Sequence, residues 1–345
     1  MKALVTGANS LVGSHIVAAL REENHKVRAF VRETSDCRAL EGLGAEIVHG
    51  DVLEPDTLDE ACRGCDAVFH AAAKYSYSPR DTEALETLSR RGTYNAIASA
   101  KKTRVRRVVV TSSSVTLGAS TEPRVIDENR PVRRANPGRY VMSKIAQEKL
   151  ALDTGSGLGV EVVCACPTIC VGPNDYRLSE SNAVFVNYLR DPMKATWPGG
   201  CNIVSAADVG RGHVLLARKG RAGERYVLGS ENLYWSTVHS IMSELCGIDG
   251  PRMVASHTFC YLAGIAQELS SMVTRKRPFV TREQANMVGM YYWYSSNKAR
   301  GLGYDPMPSR PALVKALSWL VASRHVSREQ RATMSLSNEI YSQRS

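Results

Sequence analysis

Short β-rich apolar runs alternate with stretches of helical periodicity over the first half of the chain. The first run enters a turn at Gly7, and residues 13–24 then place Ile16, Val17 and Leu20 at helical spacing. Because right-handed crossovers put helices on both faces of a parallel sheet, this alternation predicts an α/β fold with a doubly wound parallel sheet. The runs predicted to form its strands are residues 2–7, 26–31, 45–50, 67–72, 107–111 and 160–166.

The alternation breaks down after Pro173, and longer helical stretches follow. We therefore predict a first domain over residues 1–173 and a smaller, mostly helical lobe over residues 174–322, with some elements of the second half returning to the first domain. Residues 323–345 are polar and basic with little apolar periodicity, which predicts a marginal helix or disorder. The helical stretches of the second half are residues 182–190, 207–218, 237–246 and 257–272.

The composition is typical of a soluble globular protein, since 43% of the 345 residues are hydrophobic and 23% are charged. A formal net charge of +10 makes nucleic acid or anionic lipid a candidate partner on charge alone. The basic residues are dispersed, however, and no basic stripe is interleaved with aromatic residues. We therefore expect a solvated basic surface and no nucleic-acid partner. The basic groups are Arg104, Arg106 and Arg107, then Arg133 and Arg134, and then Arg275, Lys276 and Arg277.

The nine cysteines are an odd number, and several, such as Cys164 and Cys166, lie in apolar strand-like runs. With no secretory signal before them, they predict reduced thiols in a cytoplasmic protein. Cys62 and Cys65 form a CxxC pair without a second pair at zinc-finger spacing, so packing is favoured over metal binding and no metal is expected. No apolar run reaches the about 18 residues that a membrane span needs.

A Gly-rich turn, TGANSLVG at residues 6–13, joins the first predicted strand to the first predicted helix. Glycines at such a turn let the backbone approach phosphate groups, and the helix that follows presents its N-terminal amides to an anion. This position is where a Rossmann-like fold binds a dinucleotide pyrophosphate. The residues predicted here to bind the cofactor are Gly7, Asn9, Ser10, Leu11, Val12 and Gly13.

Arg32 ends the second predicted strand, at a place where an acidic residue would hydrogen-bond a free ribose 2′-hydroxyl. An arginine there can instead pair with a 2′-phosphate, so NADP(H) is favoured and NAD(H) is the alternative. A plain surface role also remains open, because Glu33 is adjacent and can neutralise the arginine.

Tyr140 and Lys144 lie four residues apart in the segment YVMSK and therefore share one face of a predicted helix. A tyrosine with its ordinary pKa of about 10 is too weak an acid for proton transfer near neutral pH. A neighbouring ammonium group stabilises the phenolate, which predicts Tyr140 as a general acid/base. A surface pair without catalytic function is the alternative.

Residues 111–118, TSSSVTLG, lie between the Gly-rich turn and the YVMSK segment, and three later segments, 165–173, 205–213 and 223–229, follow YVMSK. Together they resemble the extended short-chain dehydrogenases/reductases, the NAD-dependent epimerase/dehydratase superfamily. The likeness continues to about Leu320, and the subgroup resembled most contains 3β-hydroxysteroid dehydrogenases, dihydroflavonol reductases and hopanoid-associated sugar epimerases.

This resemblance implies a catalytic group in which Ser113 holds the substrate oxygen, Tyr140 exchanges a proton and Lys144 contacts the nicotinamide ribose. Two positions depart from the family pattern: Ser10 replaces the central glycine of the turn, and Ser89 replaces the usual asparagine. The further cofactor contacts that the resemblance implies are Asp51, Val52, Ala71, Ala72, Ala73, Thr111, Pro167, Thr168 and Ile169, together with Tyr140 and Lys144 themselves.

Three functions are compatible with these patterns. The first is an NADP(H)-dependent oxidoreductase that interconverts a secondary alcohol and a ketone; the second is a nucleotide-sugar epimerase or dehydratase with tightly bound NAD. The third is a cofactor-binding regulator without catalysis. The intact Ser113, Tyr140 and Lys144 favour an enzyme, and Arg32 favours the first function.

The substrate expected for the first function is a small molecule with a bulky apolar ring system, such as a sterol, triterpenoid or flavonoid. The apolar stretch 254–273 is followed directly by the basic residues 275–277, a combination that suits contact with an anionic membrane surface, or else a buried helix ending in cations. The aromatic residues 291–294 suit either an apolar pocket or core packing. The family resemblance implies a homodimer.

Overall fold

Helices cover both faces of a central parallel sheet, and a second lobe of helices and short strands lies beside it. This computed structural model describes residues 1–74, 76–77, 81–132, 137–274 and 280–343. Its strands are β1 (Lys2–Thr6), β2 (Lys26–Val31), β3 (Glu46–His49), β4 (Ala67–His70), β5 (Arg107–Thr111), β6 (Glu161–Pro167), β7 (Ile169–Val171), β8 (Ala195–Thr196), β9 (Gly200–Ser205), β10 (Arg225–Leu228), β11 (Glu231–Tyr234) and β12 (Met253–Val254). Its helices are α1 (Leu11–Glu22), α2 (Pro55–Cys62), α3 (Thr82–Thr87), α4 (Thr93–Lys102), α5 (Arg139–Leu158), α6 (Glu180–Arg190), α7 (Ala206–Lys219), α8 (Trp235–Cys246), α9 (His257–Thr274), α10 (Arg282–Ala285), α11 (Asn297–Arg300), α12 (Ser309–Ala322), α13 (Arg328–Ala332) and α14 (Asn338–Ser342).

The main sheet has the strand order β3-β2-β1-β4-β5-β6-β10, and every neighbouring pair is parallel. From β1 the chain builds outward to β3, then returns to the other side of β1 and continues through β4. The point between β1 and β4 is therefore a topological switch point, where ligands bind beyond the carboxyl ends of the strands. The predicted doubly wound parallel sheet is confirmed.

Side chains of the central strands alternate between two hydrophobic cores. Val5 and Val109 belong to the core that includes α1 and α7, whereas Leu4 and Val108 belong to the core that includes α2, α4 and α5. All four side chains are fully buried. Burial on both faces explains why these strands read as continuous apolar runs in the sequence.

The second lobe contains small sheets as well as the expected helices. One sheet has the order β11-β9-β7, and β8 pairs with β12. These strands pack with α6, α8 and α12 around a core that includes Phe185, Trp235 and Leu317. The four helical stretches predicted in this half correspond to α6, α7, α8 and α9, but the short strands were not predicted.

Two elements of the second half join the main sheet. β10 extends the sheet beside β6, and α7 packs against α1. The segment after β6 therefore crosses between the two lobes more than once, and the carboxyl ends of β5 and β6 face the second lobe across a cavity.

The C-terminal segment contains two short helices, α13 and α14. Val326 and Ile340 are 1% and 0% exposed and belong to the core of the second lobe. Arg310 of α12 forms ion pairs with Glu244 and Glu339, which fastens α14 to α8 and α12. In the structure this segment is therefore helical in part and anchored through Val326 and Ile340, whereas Tyr341 is exposed.

In the described part of the chain, every helix is too short or too polar to span a lipid bilayer.

Candidate active site

The Gly-rich turn lies at the switch point, between β1 and α1. Gly7 has φ +65°, and a Cβ there would lie 2.7 Å from the Cα of Ala72, so a side chain is excluded by both conformation and space. Ser10 accepts a hydrogen bond from the Gly13 amide at 3.0 Å and donates one to the Gly7 carbonyl at 2.8 Å. Ser10, which stands where the family pattern has a glycine, is thus the N-cap of α1.

The N-terminus of α1 suits a phosphate group. Its first turn carries no acidic residue, and Ser10, Leu11 and Val12 line a cavity of about 510 Å³. Unpaired amides at a helix N-terminus bind anions, so the residues present fit the pyrophosphate of a dinucleotide. Asn9 is not among the residues that line the cavity, and its Nδ2 donates to the Asp36 carbonyl at 3.1 Å, which ties the turn to the loop after β2.

The loops after β2 and β3 carry the residues predicted to contact the adenosine. Arg32 follows β2 and is exposed. Oε2 of Glu33 lies 4.0 Å from Nδ1 of His49, and both side chains are exposed. Asp51 accepts a hydrogen bond from the Leu53 amide at 2.9 Å, and Val52 is buried beside Gly92.

Ser113, Tyr140 and Lys144 line the same cavity as the N-terminus of α1. The structure therefore brings together the three residues predicted to be catalytic and the predicted pyrophosphate site. Other predicted cofactor contacts that line this cavity are Ala71, Ala73, Thr111, Pro167, Thr168 and Ile169. The predicted contacts outside its lining are Gly7, Asn9, Gly13, Arg32, Asp51, Val52 and Ala72.

Tyr140 stands in the first turn of α5 and is 5% exposed. Its ring packs edge-on against Tyr77, with centroids 5.4 Å apart. Its amide donates to Oε1 of Glu283 at 3.1 Å, which places a carboxylate at the N-terminus of the helix. Burial raises the pKa of Glu283. The sequence patterns did not point to Glu283, because it comes from α10.

Lys144 lies one turn further along α5 and is 4% exposed. Its Nζ donates to the Thr111 carbonyl at 3.1 Å and to Oε1 of Gln147 at 2.8 Å. Burial lowers the pKa of Lys144 to about 8. A cation is thus held at the floor of the cavity by a strand end and by its own helix.

Ser113 lies at the end of β5 on a loop held by a buried carboxylate. Oε2 of Glu148 accepts hydrogen bonds from Ser112 at 2.6 Å and from Thr116 at 3.0 Å. Oε1 of Glu148 pairs with Arg225 of β10 at 2.9 Å. The loop that carries Ser113 is therefore fixed to both α5 and β10, by residues that the sequence patterns did not single out.

Ser89 is buried in a wide helical turn, residues 88–92, and lies outside the cavity lining. Its hydroxyl is 3.5 Å from that of Ser143. At the position where the family resemblance implies an asparagine, this chain therefore has a short side chain that contacts α5.

The second lobe adds aromatic and aliphatic side chains to the cavity lining, among them Tyr188 of α6, Trp197, Trp235, and Phe259 and Ala263 of α9. Polar side chains of the same lobe also line the cavity, including Glu180, Asn187, Asp191, Gln267 and Gln284. The second lobe thus contributes both apolar and polar groups to the cavity.

The aromatic run 291–294 is divided between the two uses considered from the sequence. Tyr292 and Tyr294 line the cavity. Tyr294 also donates to the Gly118 carbonyl at 2.7 Å, whereas Trp293 donates to the Leu233 carbonyl at 3.2 Å and packs on Tyr234. The run thus contributes to the cavity and to packing between β11 and the loop after β5.

Cys62 is the last residue of α2 and Cys65 follows the helix; both are buried in the core, and burial raises the pKa of Cys62 to about 12. Within the described ranges, no three His, Cys, Asp or Glu side chains are grouped to hold a metal ion. The basic residues Arg133, Arg134, Arg275, Lys276 and Arg277 lie outside the described residues.

The Gly-rich turn at the switch point opens onto the same cavity as Ser113, Tyr140 and Lys144, an arrangement that is typical of nicotinamide-dependent oxidoreductases. A model of the NAD-dependent epimerase/dehydratase family matches residues 3–229, and the chain belongs to this family. It is thus an NAD(P)-dependent enzyme acting on CH–OH groups, as the resemblance implied.

Relatives match nearly the whole chain. A protein assigned as a dihydroflavonol 4-reductase in Synechocystis sp. is 30% identical over 322 residues, which cover 91% of this chain and 93% of that protein. Sterol demethylase protein B of Methylococcus capsulatus is 31% identical over 326 residues, 92% of this chain and 98% of that protein. The solved structure of gox2253 is 31% identical, with a TM-score of 0.82 and coverage of 94% of this chain and 99% of that chain.

Proposed function

We propose that the protein interconverts a secondary alcohol and a ketone on a bulky apolar substrate, with NADP(H) as cofactor and Tyr140 as general acid/base. The observation that carries this proposal is one cavity of about 510 Å³ whose lining joins Ser113, Tyr140 and Lys144 to aromatic and aliphatic side chains. The aromatic and aliphatic part of this lining suits an apolar ring system.

Each catalytic side chain has a role that its position supports. In the direction of reduction, Ser113 donates a hydrogen bond to the carbonyl oxygen, and Tyr140 gives its proton to the same oxygen. Lys144 stabilises the phenolate that remains, because a nearby cation favours the charged form. The nicotinamide, when bound, supplies or accepts the hydride.

NADP(H) is the proposed cofactor because Arg32 is exposed at the end of β2 while Glu33 lies beside His49. An exposed guanidinium is available to a 2′-phosphate. The proposed cofactor contacts are those predicted from the sequence, with Ser10, Leu11 and Val12 at the pyrophosphate.

Two surfaces support further proposals. The face of α9 formed by Phe259, Leu262 and Leu269 is proposed to rest on a membrane, because these side chains are 52%, 60% and 58% exposed and Phe259 also lines the cavity. A homodimer is proposed through α4 and α5, where Tyr94 and Met142 are about half exposed.

The experiment that tests the reaction is incubation of the purified protein with NADPH or NADP⁺ and a panel of sterols, flavanonols and nucleotide sugars. Absorbance of the reduced cofactor and the mass of the product are followed. Stoichiometric cofactor turnover with a ring alcohol or ketone is expected. An isomerised sugar without net cofactor turnover would contradict the proposal and favour the epimerase alternative.

A further inference from the structure

A chain of buried polar groups runs from Lys144 to the Gly-rich turn. Nζ of Lys144 donates to Gln147 at 2.8 Å, and Nε2 of Gln147 donates to Oγ1 of Thr93 at 3.0 Å. Thr93 lies 3.2 Å from Nε2 of His70, and Nδ1 of His70 lies 2.9 Å from Oγ1 of Thr6. Gln147, Thr93, His70 and Thr6 are all fully buried. This series of hydrogen bonds thus connects α5 to α4, β4 and β1 in the interior.

The order of donors and acceptors along this chain follows from its two ends. An ammonium group only donates, so the carboxamide oxygen of Gln147 faces Lys144 and its nitrogen faces Thr93. Burial, and then the charge of Lys144, lower the pKa of His70 to about 3, so the ring is neutral at physiological pH. Both ring nitrogens of His70 have partners when Thr93 donates to Nε2 and Nδ1–H donates to Thr6.

We propose that Gln147 is a positioning residue for Lys144: its carboxamide fixes the ammonium at the cavity floor, and Thr93 and His70 fix the carboxamide. A glutamine side chain has three rotatable bonds. Hydrogen bonds at both the oxygen and the nitrogen of the carboxamide restrict the Gln147 side chain to one conformation. The consequence for catalysis rests on the proposed function, because it is through Lys144 that Gln147 acts on Tyr140.

The groups around Lys144 make its contact with the neutral carboxamide of Gln147 important. Glu148 of the same helix is already paired with Arg225, and His70 on β4 is neutral. Burial raises the pKa of Cys164 and Cys166 on β6, so both are thiols. The carboxamide oxygen of Gln147 and the Thr111 carbonyl are therefore the dipoles that contact the ammonium and favour its charged form.

Substitutions of similar size separate this electrostatic role from mere packing. Gln147→Met removes the oxygen, and Gln147→Glu replaces it with a carboxylate. If Gln147 contacts the ammonium as proposed, the pKa of Lys144 falls in the methionine variant and rises in the glutamate variant. A hydrogen bond worth about 1 kcal/mol corresponds to a change of about 0.7 in pKa, and the carboxylate is expected to have at least as large an opposite effect.

The measurement is an NMR titration of lysine ¹³Cε signals in the full-length protein, with Lys144 assigned from the spectrum of Lys144→Arg. Lys149→Met, an exposed change on the same helix, is the matched control and is expected to leave the Lys144 titration within about 0.2 of the wild-type pKa. Thr93→Val provides a second variant in case Gln147→Met does not fold, and a smaller fall in the pKa is expected because only the anchor of the carboxamide is lost.

Unchanged titration of Lys144 in the Gln147 and Thr93 variants, or a change of the same sign for methionine and glutamate, would overturn the proposal. The titration needs no substrate. A wild-type protein that reduces no compound of the panel would refute the proposed function and leave this result standing, whereas an unchanged titration with an active enzyme would refute only the role of Gln147.

Discussion

At Ser10, one side chain replaces the central glycine of the turn and becomes part of its structure. The hydroxyl accepts from the Gly13 amide and donates to the Gly7 carbonyl, both bonds that glycine cannot form. Ser10 therefore caps the N-terminus of α1, and Leu11 and Val12 in the first turn of that helix line the cavity.

Arg32 is the residue on which cofactor preference depends in this account. Arg32→Ala is expected to weaken NADPH binding about 10-fold, because a charge-assisted hydrogen bond to the 2′-phosphate is worth about 1.5 kcal/mol or more. NADH, which lacks this phosphate, should bind almost equally to both proteins. Fluorescence titration of each cofactor measures the two dissociation constants.

Arg106→Ala is the control for the Arg32 variant, since Arg106 is also an exposed arginine but precedes the amino end of β5, whereas Arg32 follows the carboxyl end of β2. It should leave both dissociation constants unchanged. Equal loss of NADPH and NADH affinity in Arg32→Ala would show that Arg32 does not read the 2′-phosphate.

Helix α9 presents apolar side chains both to the cavity and to the surface. Ala263 and Phe259 line the cavity, and Phe259 is also 52% exposed and continues the surface formed by Leu262 and Leu269. Exposed leucines on one face cost little in water individually, but together they give an apolar stripe that a lipid surface can bury.

The double substitution Leu262→Gln with Leu269→Gln is expected to reduce binding to vesicles of anionic phospholipid by at least 10-fold, because each leucine contributes about 1.5 kcal/mol or more when buried. Co-sedimentation with the vesicles measures the fraction of protein bound. Tyr341→Gln, an exposed aromatic residue of α14, is the matched control and should bind like the wild type. Wild-type protein that stays in the supernatant at low salt would refute a membrane role for this face.

The elements of the first half could be predicted because their patterns are local. Strands buried on both faces appear as apolar runs, and amphipathic helices appear between them. The short strands of the second lobe have no such signal: β9 contains Asn202, which is buried because Thr168, Ser230 and Asn232 bond its side chain. Such partners come from distant segments, so the pattern around β9 does not predict a strand.

The candidate active site also combines residues in local motifs with residues from distant segments. Ser113, Tyr140 and Lys144 lie in recognisable segments, and the structure brings them into one cavity. Glu283 and Arg225, which hold α5 and the Ser113 loop, act across more than 70 residues of chain and belong to no motif. Supporting residues of this kind become visible only when tertiary contacts are known.

Buried neutral histidines make the stability of the whole molecule depend on pH. Burial lowers the pKa of His70 and His239 to about 3 and that of His213 to about 4, each well below the ordinary value near 6.5. The unfolded chain therefore binds more protons than the folded one below pH 6.5. Stability from these residues is fully present above that pH and is lost as the pH falls towards the folded-state values.

Between pH 6.5 and 5.5 the free energy of unfolding is expected to fall by about 1 kcal/mol for each of these histidines, or about 3 kcal/mol together. Urea denaturation at the two pH values measures the change. His239→Gln should reduce the difference by about a third, whereas His49→Gln, at an exposed position, should not alter it. A free energy of unfolding that is constant over this range would contradict the assigned burial.

The surface of α4 and α5 bears on the assembly of the molecule. Tyr94, Met142 and Ile145 are 49%, 54% and 39% exposed. If two copies pair here, Met142→Lys with Ile145→Lys is expected to convert a dimer into a monomer, because like charges would face one another across a two-fold axis. Sedimentation velocity distinguishes the two, and a wild-type monomer at micromolar concentration would refute the proposed dimer.

The central claim concerns Tyr140 in the assembled cavity, and the most direct test is turnover by Tyr140→Phe with the ketone identified from the substrate panel. Loss of the proton donor is expected to lower kcat about 10³-fold, within the range typical of general acid catalysis, while the dissociation constant for NADPH changes less than about threefold. A phenylalanine variant that turns over at the wild-type rate would contradict the account.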